Sequence, residues 1–178
     1  MITRILGKQH ALTVSAVGLG CMGFSHGYGP GPDHEEAVQL IRAAYDLGCT
    51  FFDTAEGYAA GENEKLVGEA IKPFRKYIIL ATKLHIPEDR KLESAIREHL
   101  DASLKRLDTD YVDLYYQHRV NQNVPVEEVA VVMGKLIDEG KIRGWGQSQA
   151  TEEEIRRAHA HVPITAIQSE YSIMERMF

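Results

Sequence analysis

The sequence predicts an α/β fold built on a parallel sheet with helices packed over it. Two observations carry this. Short β-branched or aromatic runs alternate along the chain with longer stretches of helical spacing. The runs begin near residues 16, 50, 77, 111, 142 and 164, a repeat of roughly 30 residues, as βα units require. Two architectures fit such a repeat: a doubly wound open sheet and a (β/α)₈ barrel. The dinucleotide fingerprint of the first is missing. Gly18, Gly20 and Gly23 have the G-x-G-x-x-G spacing. The glycine- and proline-rich stretch from Phe24 to Pro32 follows them, and it cannot supply the helix N-terminus that a phosphate cradle needs.

Each element has its own signal. Thr3 to Val14 reads as a hairpin turning at Gly7-Lys8-Gln9-His10. The strands are expected at Ala16–Gly20, Thr50–Asp53, Tyr77–Thr82, Tyr111–Tyr116, Ile142–Gly146 and Ile164–Gln168, too short for helices. Between Asp33 and Leu47 the apolar positions Ala37, Leu40, Ile41, Ala44 and Leu47 make one helix face, and Gly48 stands where a terminating glycine belongs. A shorter helix covers Asn63 to Lys72 and stops at Pro73. Leu92, Ile96, Leu100, Leu104 and Leu107 form the next stripe. Val129, Val132, Met133, Leu136 and Ile137 form another, closed by Gly140. Thr151 and Glu154 make a capping box for a fifth helix. No linker or composition shift divides the chain, so residues 1–178 are expected to form one domain.

Composition removes several function classes. The 178 residues carry 20 basic and 26 acidic side chains, a net charge of −6. That balance argues against nucleic-acid binding through a basic surface and against polybasic membrane attachment. No run approaches the ~18 apolar residues of a membrane span, and the N-terminus lacks a secretory pattern. Cys21 and Cys49 form no C-x-x-C and no metal spacing; they read as free thiols of a cytoplasmic protein without a metal centre. His159 and His161 lack a third ligand.

In both architectures chemistry sits at the carboxyl ends of the strands. Those ends carry Asp53 with Tyr58 beyond it, Lys83, His118, Ser148 with Gln149, and Gln168. His85, just past Lys83, could reach the same pocket but reads first as a solvated loop residue. Asp, Tyr, Lys and His have one clear joint use. Hydride addition to a carbonyl carbon builds negative charge on the oxygen, which needs a proton donor and a positive charge nearby. A phenol, with a free pKa near ~10, becomes a better acid beside an ammonium. A carboxylate keeps that ammonium charged and fixed, and a neutral imidazole can hold the carbonyl oxygen in line.

These residues resemble the aldo-keto reductase family. Phe51-Phe52-Asp53-Thr54-Ala55-Glu56-Gly57-Tyr58, with Gly61, Glu64 and Gly68, is similar to its first signature. Thr82-Lys83 resembles its lysine strand, and the run from Asp113 to His118 its histidine strand. Gly140 to Ser148 and Gln168 to Ser172 resemble the two strands that follow. The resemblance implies a (β/α)₈ barrel and an NADPH-dependent reductase of a small aldehyde or ketone. It implies Tyr58 as proton donor, Lys83 and Asp53 as the pair that tunes it, and His118 as the carbonyl-orienting residue. Ser148, Gln149 and Gln168 would bond the nicotinamide carboxamide, while Asp53 and the backbone of Gly20, Cys21 and Met22 would lie under its ribose. Gln149 stands where asparagine is usual, and Trp145 where an aliphatic residue is usual. In some relatives the same fold is a regulatory subunit, and a truncated or regulatory protein of this fold without turnover is the alternative reading. A complete barrel typically takes ~250 residues. The expectation is therefore a C-terminally incomplete barrel, with six of eight units and without strands seven and eight, whose loops in the family hold the cofactor phosphates.

Overall fold

The computed structural model describes every residue except 26, 28, 30, 89, 90 and 175–178. Part of the stretch after Gly23 and the last four residues of the expected domain therefore lie outside the described residues. Strands β1 (Thr3–Leu6) and β2 (Leu12–Ser15) form an antiparallel hairpin with Leu6 opposite Leu12. There follow β3 (Leu19–Gly20), α1 (His34–Asp46), β4 (Phe51–Asp53), α2 (Glu62–Ile71), β5 (Ile79–Leu84) and α3 (Leu92–Leu107). The chain continues through β6 (Val112–Gln117), α4 (Val126–Asp138), β7 (Ile142–Ser148), α5 (Glu152–His161) and β8 (Ala166–Gln168).

Strands β3 to β8 make one six-stranded sheet, parallel throughout and in strict sequence order. A doubly wound sheet reverses its order at a switch point; this one does not. It also curls: Gln168 on β8 donates to the Asp53 carboxylate on β4 across the concave side at 3.1 Å. The architecture is a half-barrel with helices in the crossovers, as the repeat predicts. Among the described residues no helix is long and apolar enough to cross a membrane.

Boundaries shift for identifiable reasons. Strand β3 keeps only the end of the expected Ala16–Gly20, because Ala16 N–H bonds back to Ile2 and extends the hairpin. Strand β8 starts late, because His159 Nδ1 accepts from Ile164 N–H at 3.0 Å. Strand β5 runs past Thr82 to Leu84, so Lys83 lies inside it. After α2 the chain crosses Pro73 in a 3-10 turn, where proline's missing N–H is tolerated. The expected box at Thr151 is formed: Thr151 and Glu154 each bond the other's backbone N–H.

The period of two in the strands creates two cores. Phe52, Leu80, Leu84, Tyr115 and Trp145 face outward and pack with the helices. Ile79, Ala81, Leu114 and Tyr116 face inward and pack with Leu12 and Val14 of the hairpin. At the amino-terminal end of β6 a buried carboxylate fastens the strands. Asp113, fully buried, accepts from Arg75 and Arg143 at 2.8 Å each and from Leu80 N–H at 3.0 Å.

Candidate active site

The inward phase that Ile79 and Ala81 set also carries Lys83, and it delivers the polar strand ends to one place. Lys83 is fully buried. Its ammonium ion-pairs with Asp53 Oδ1, donates to the Thr54 carbonyl at 2.9 Å, and lies 3.3 Å from the Tyr58 hydroxyl. Tyr58 opens a short turn, Tyr58–Gly61, in the connection between β4 and α2. Its ring meets His118 edge to face, with centroids 5.6 Å apart. The structure thus brings all four predicted catalytic residues together.

His118 is held by its neighbours. Its N–H donates to the Leu84 carbonyl at 2.8 Å, and its own carbonyl accepts from Arg119 Nη1 at 2.6 Å. The pKa of the imidazole is pushed down from 6.5 to about 3, first by burial, then by the Lys83 ammonium, His85 and Arg119. His118 is therefore neutral at ordinary pH. Between pH 6.5 and about 3 the unfolded chain binds this proton and the folded chain does not. Stability is expected to fall as pH drops through that window. Urea midpoints across it should fall less steeply for His118→Gln; an equally steep fall would contradict a buried neutral imidazole.

The expected cofactor-facing residues form the flank of this cluster. Ser148 and Gln168 are register partners on β7 and β8. Gln149 follows with a positive φ of 54° and donates its N–H to the Gln168 carbonyl at 2.9 Å. Its Oε1 is buried without a partner in the structure. A buried acceptor beside Ser148 and Gln168 fits a primary carboxamide, which offers N–H donors. Cys21 N–H donates to the Asp53 carbonyl at 2.8 Å, which sets the backbone of Gly20, Cys21 and Met22 beside the carboxylate strand. A cavity of about 310 Å³ lies mainly against the hairpin, walled by Arg4, Leu6 and Val14, and reaches Gly20, Asp53 and Gln168 at its edge. Burial pushes the Cys21 thiol up, so it is an inert packing group.

Three neighbours stand outside the set predicted at the strand ends. His85 is exposed but not merely solvated: its ring stacks on His118 with centroids 4.4 Å apart. It shares the phase of Lys83, and strand periodicity carried two residues further finds it. Arg119 Nη1 also lies 3.2 Å from Ser148 Oγ. Asn63 is buried at the start of α2, and nothing in its local sequence marks it.

Comparison with known proteins agrees with this geometry. The aldo/keto reductase family model matches residues 16–178. A probable aldo-keto reductase of Glycine max is 44% identical across 96% of the chain, which covers 51% of that protein. A thermostable aldo-keto reductase solved with the inhibitor epalrestat superposes with a TM-score of 0.88 at 35% identity, covering 99% of this chain and 65% of that one. An aldo/keto reductase from Klebsiella pneumoniae, solved with NADP and acetate, gives 0.73 at 37% identity over 85% of this chain and 51% of that one. The chain spans about half the length of the curated relative it matches. With the sheet order, the strand-end cluster and the family model in agreement over nearly the whole chain, it belongs to the aldo/keto reductase family.

Proposed function

We propose that this chain carries the proton-transfer site of an NADPH-dependent reductase of small aldehydes or ketones. One observation carries the reading: a buried ammonium, Lys83, is paired with Asp53 and lies 3.3 Å from the Tyr58 hydroxyl. When bound, a reduced nicotinamide supplies the hydride. Ser148, Gln149 and Gln168 would hold its carboxamide, and Asp53 with the Gly20–Met22 backbone would support its ribose. The unpartnered Gln149 Oε1 supports that assignment.

The chain's own residues supply the rest. As the carbonyl carbon accepts hydride, its oxygen gains charge. The Tyr58 O–H gives that oxygen a proton, and the Lys83 ammonium stabilises the phenolate left behind. Asp53 fixes the ammonium, and Gln168 holds the second carboxylate oxygen. Neutral His118 orients the carbonyl by hydrogen bonding without adding charge. We infer that residues 1–178 belong to a single barrel domain, completed by two further βα units. We further infer that the protein works in the cytoplasm, where its two buried thiols stay reduced.

Fluorescence titration of NADPH against the complete barrel that carries residues 1–178 tests the proposal. Saturable binding in the micromolar range or tighter, with NADPH consumed on adding an aldehyde, is the expected result. No saturable binding would overturn it. Tight binding without turnover of any carbonyl would favour a regulatory role.

A further inference from the structure

Asn63 is the second residue of α2 and is fully buried. Its side chain does not cap its own helix, whose N-cap position is Gly61. Asparagine is also a mediocre helix former, so local preference does not explain it. The amide instead spends its bonds on two other segments. Oδ1 accepts from Thr54 Oγ1 at 2.6 Å, and Nδ2 donates to the Cys21 carbonyl at 2.9 Å and to Ser25 Oγ at 2.6 Å. The Cys21 carbonyl accepts only, so the amide orientation is fixed.

Each arm leads to the site. Thr54, itself fully buried, follows Asp53, and its carbonyl takes the Lys83 ammonium at 2.9 Å. Cys21 and Ser25 bracket the loop beside the carboxylate strand, and Cys21 N–H already bonds Asp53. Asn63 itself follows the Tyr58–Gly61 turn. One buried amide therefore joins the loop after β3, the end of β4 and the helix that follows the tyrosine. An aspartate has the shape but no N–H; a serine, threonine or aliphatic residue cannot span the two segments.

We propose that Asn63 is a positioning residue that holds the Cys21–Ser25 loop, on the ribose side, in register with the Asp53–Lys83–Tyr58 group. The proposal rests on the reductase reading above. It is tested in the same complete barrel with Asn63→Asp, which keeps the acceptor and removes both donors, and with Asn63→Ala, which brings no buried charge. Amide hydrogen exchange is read without cofactor, and the KM for NADPH and kcat with it. Exchange at Cys21 is expected to speed up about tenfold or more while the amides of Leu80 and Val112 stay protected. KM for NADPH is expected to rise roughly tenfold, the scale of one or two lost hydrogen bonds, and more than kcat falls.

A uniform rise in exchange at all amides, or a loss of kcat with KM unchanged, would make Asn63 a stability residue only and overturn the proposal. So would faster exchange at Cys21 with both kinetic constants unchanged. If the unmodified complete barrel bound no NADPH, the reductase reading would fall. Exchange at Cys21 in the two variants would still decide whether the amide holds the loop.

Discussion

Tyr58→Phe is expected to lower kcat for carbonyl reduction by about 10²–10⁴-fold, the range of a positioned general acid. NADPH affinity should stay nearly unchanged. The substitution removes one oxygen and leaves the ring. The edge-to-face contact with His118 at 5.6 Å is therefore kept, and so is the turn after β4. What goes is the O–H 3.3 Å from the Lys83 ammonium. Without it, the charge developing on the substrate oxygen has no proton to take from the protein. Stopped-flow turnover and cofactor titration on the same preparation separate the two effects. Turnover close to that of the unmodified protein would remove Tyr58 from the role of proton donor.

Asp113→Ala is expected to cost about 3–5 kcal/mol of stability, the usual penalty for breaking a buried ion pair on one side. That is a large share of the roughly 5–15 kcal/mol that holds a typical domain together. The Asp113 side chain is fully buried, and its partner Arg75 is only 13% exposed. Removing the carboxylate leaves the Arg75 guanidinium in a poorly solvated place with its Nη1 bond lost, and it orphans Leu80 N–H. The second partner behaves differently. The Arg143 side chain is 52% exposed, and Arg143→Ala leaves Asp113 with Arg75 and Leu80 N–H, so it should cost within about 1 kcal/mol. Urea unfolding of both variants gives the comparison. Equal losses would mean that Asp113 does not anchor the strand ends.

Much of this molecule was legible in the sequence because strand and helix periods are local properties. The repeat predicted the parallel sheet, and strand ends predicted Asp53, Lys83, His118, Ser148 and Gln168 on one rim. The limits of β3 and β8 were less legible. They depend on Ala16 bonding Ile2 and on His159 capturing Ile164, partners the local pattern does not contain. Asn63 was invisible for the same reason. A polar residue at the start of a helix looks solvated until the segments around residues 21 and 54 close over it. His85 showed its phase but not its partner, since the stack on His118 joins β5 to β6.

The sequence by itself determined where strands alternate with helices and which chemistry reaches the carboxyl ends. Those follow from side-chain alternation and turn residues a few positions apart. Only the tertiary structure decided how the sheet bends and therefore which ends meet. Gln168 reaching Asp53 across 115 positions spans the concave side. Burial at that rim excludes water from Lys83 and His118, keeping the ammonium on its carboxylate and the imidazole neutral.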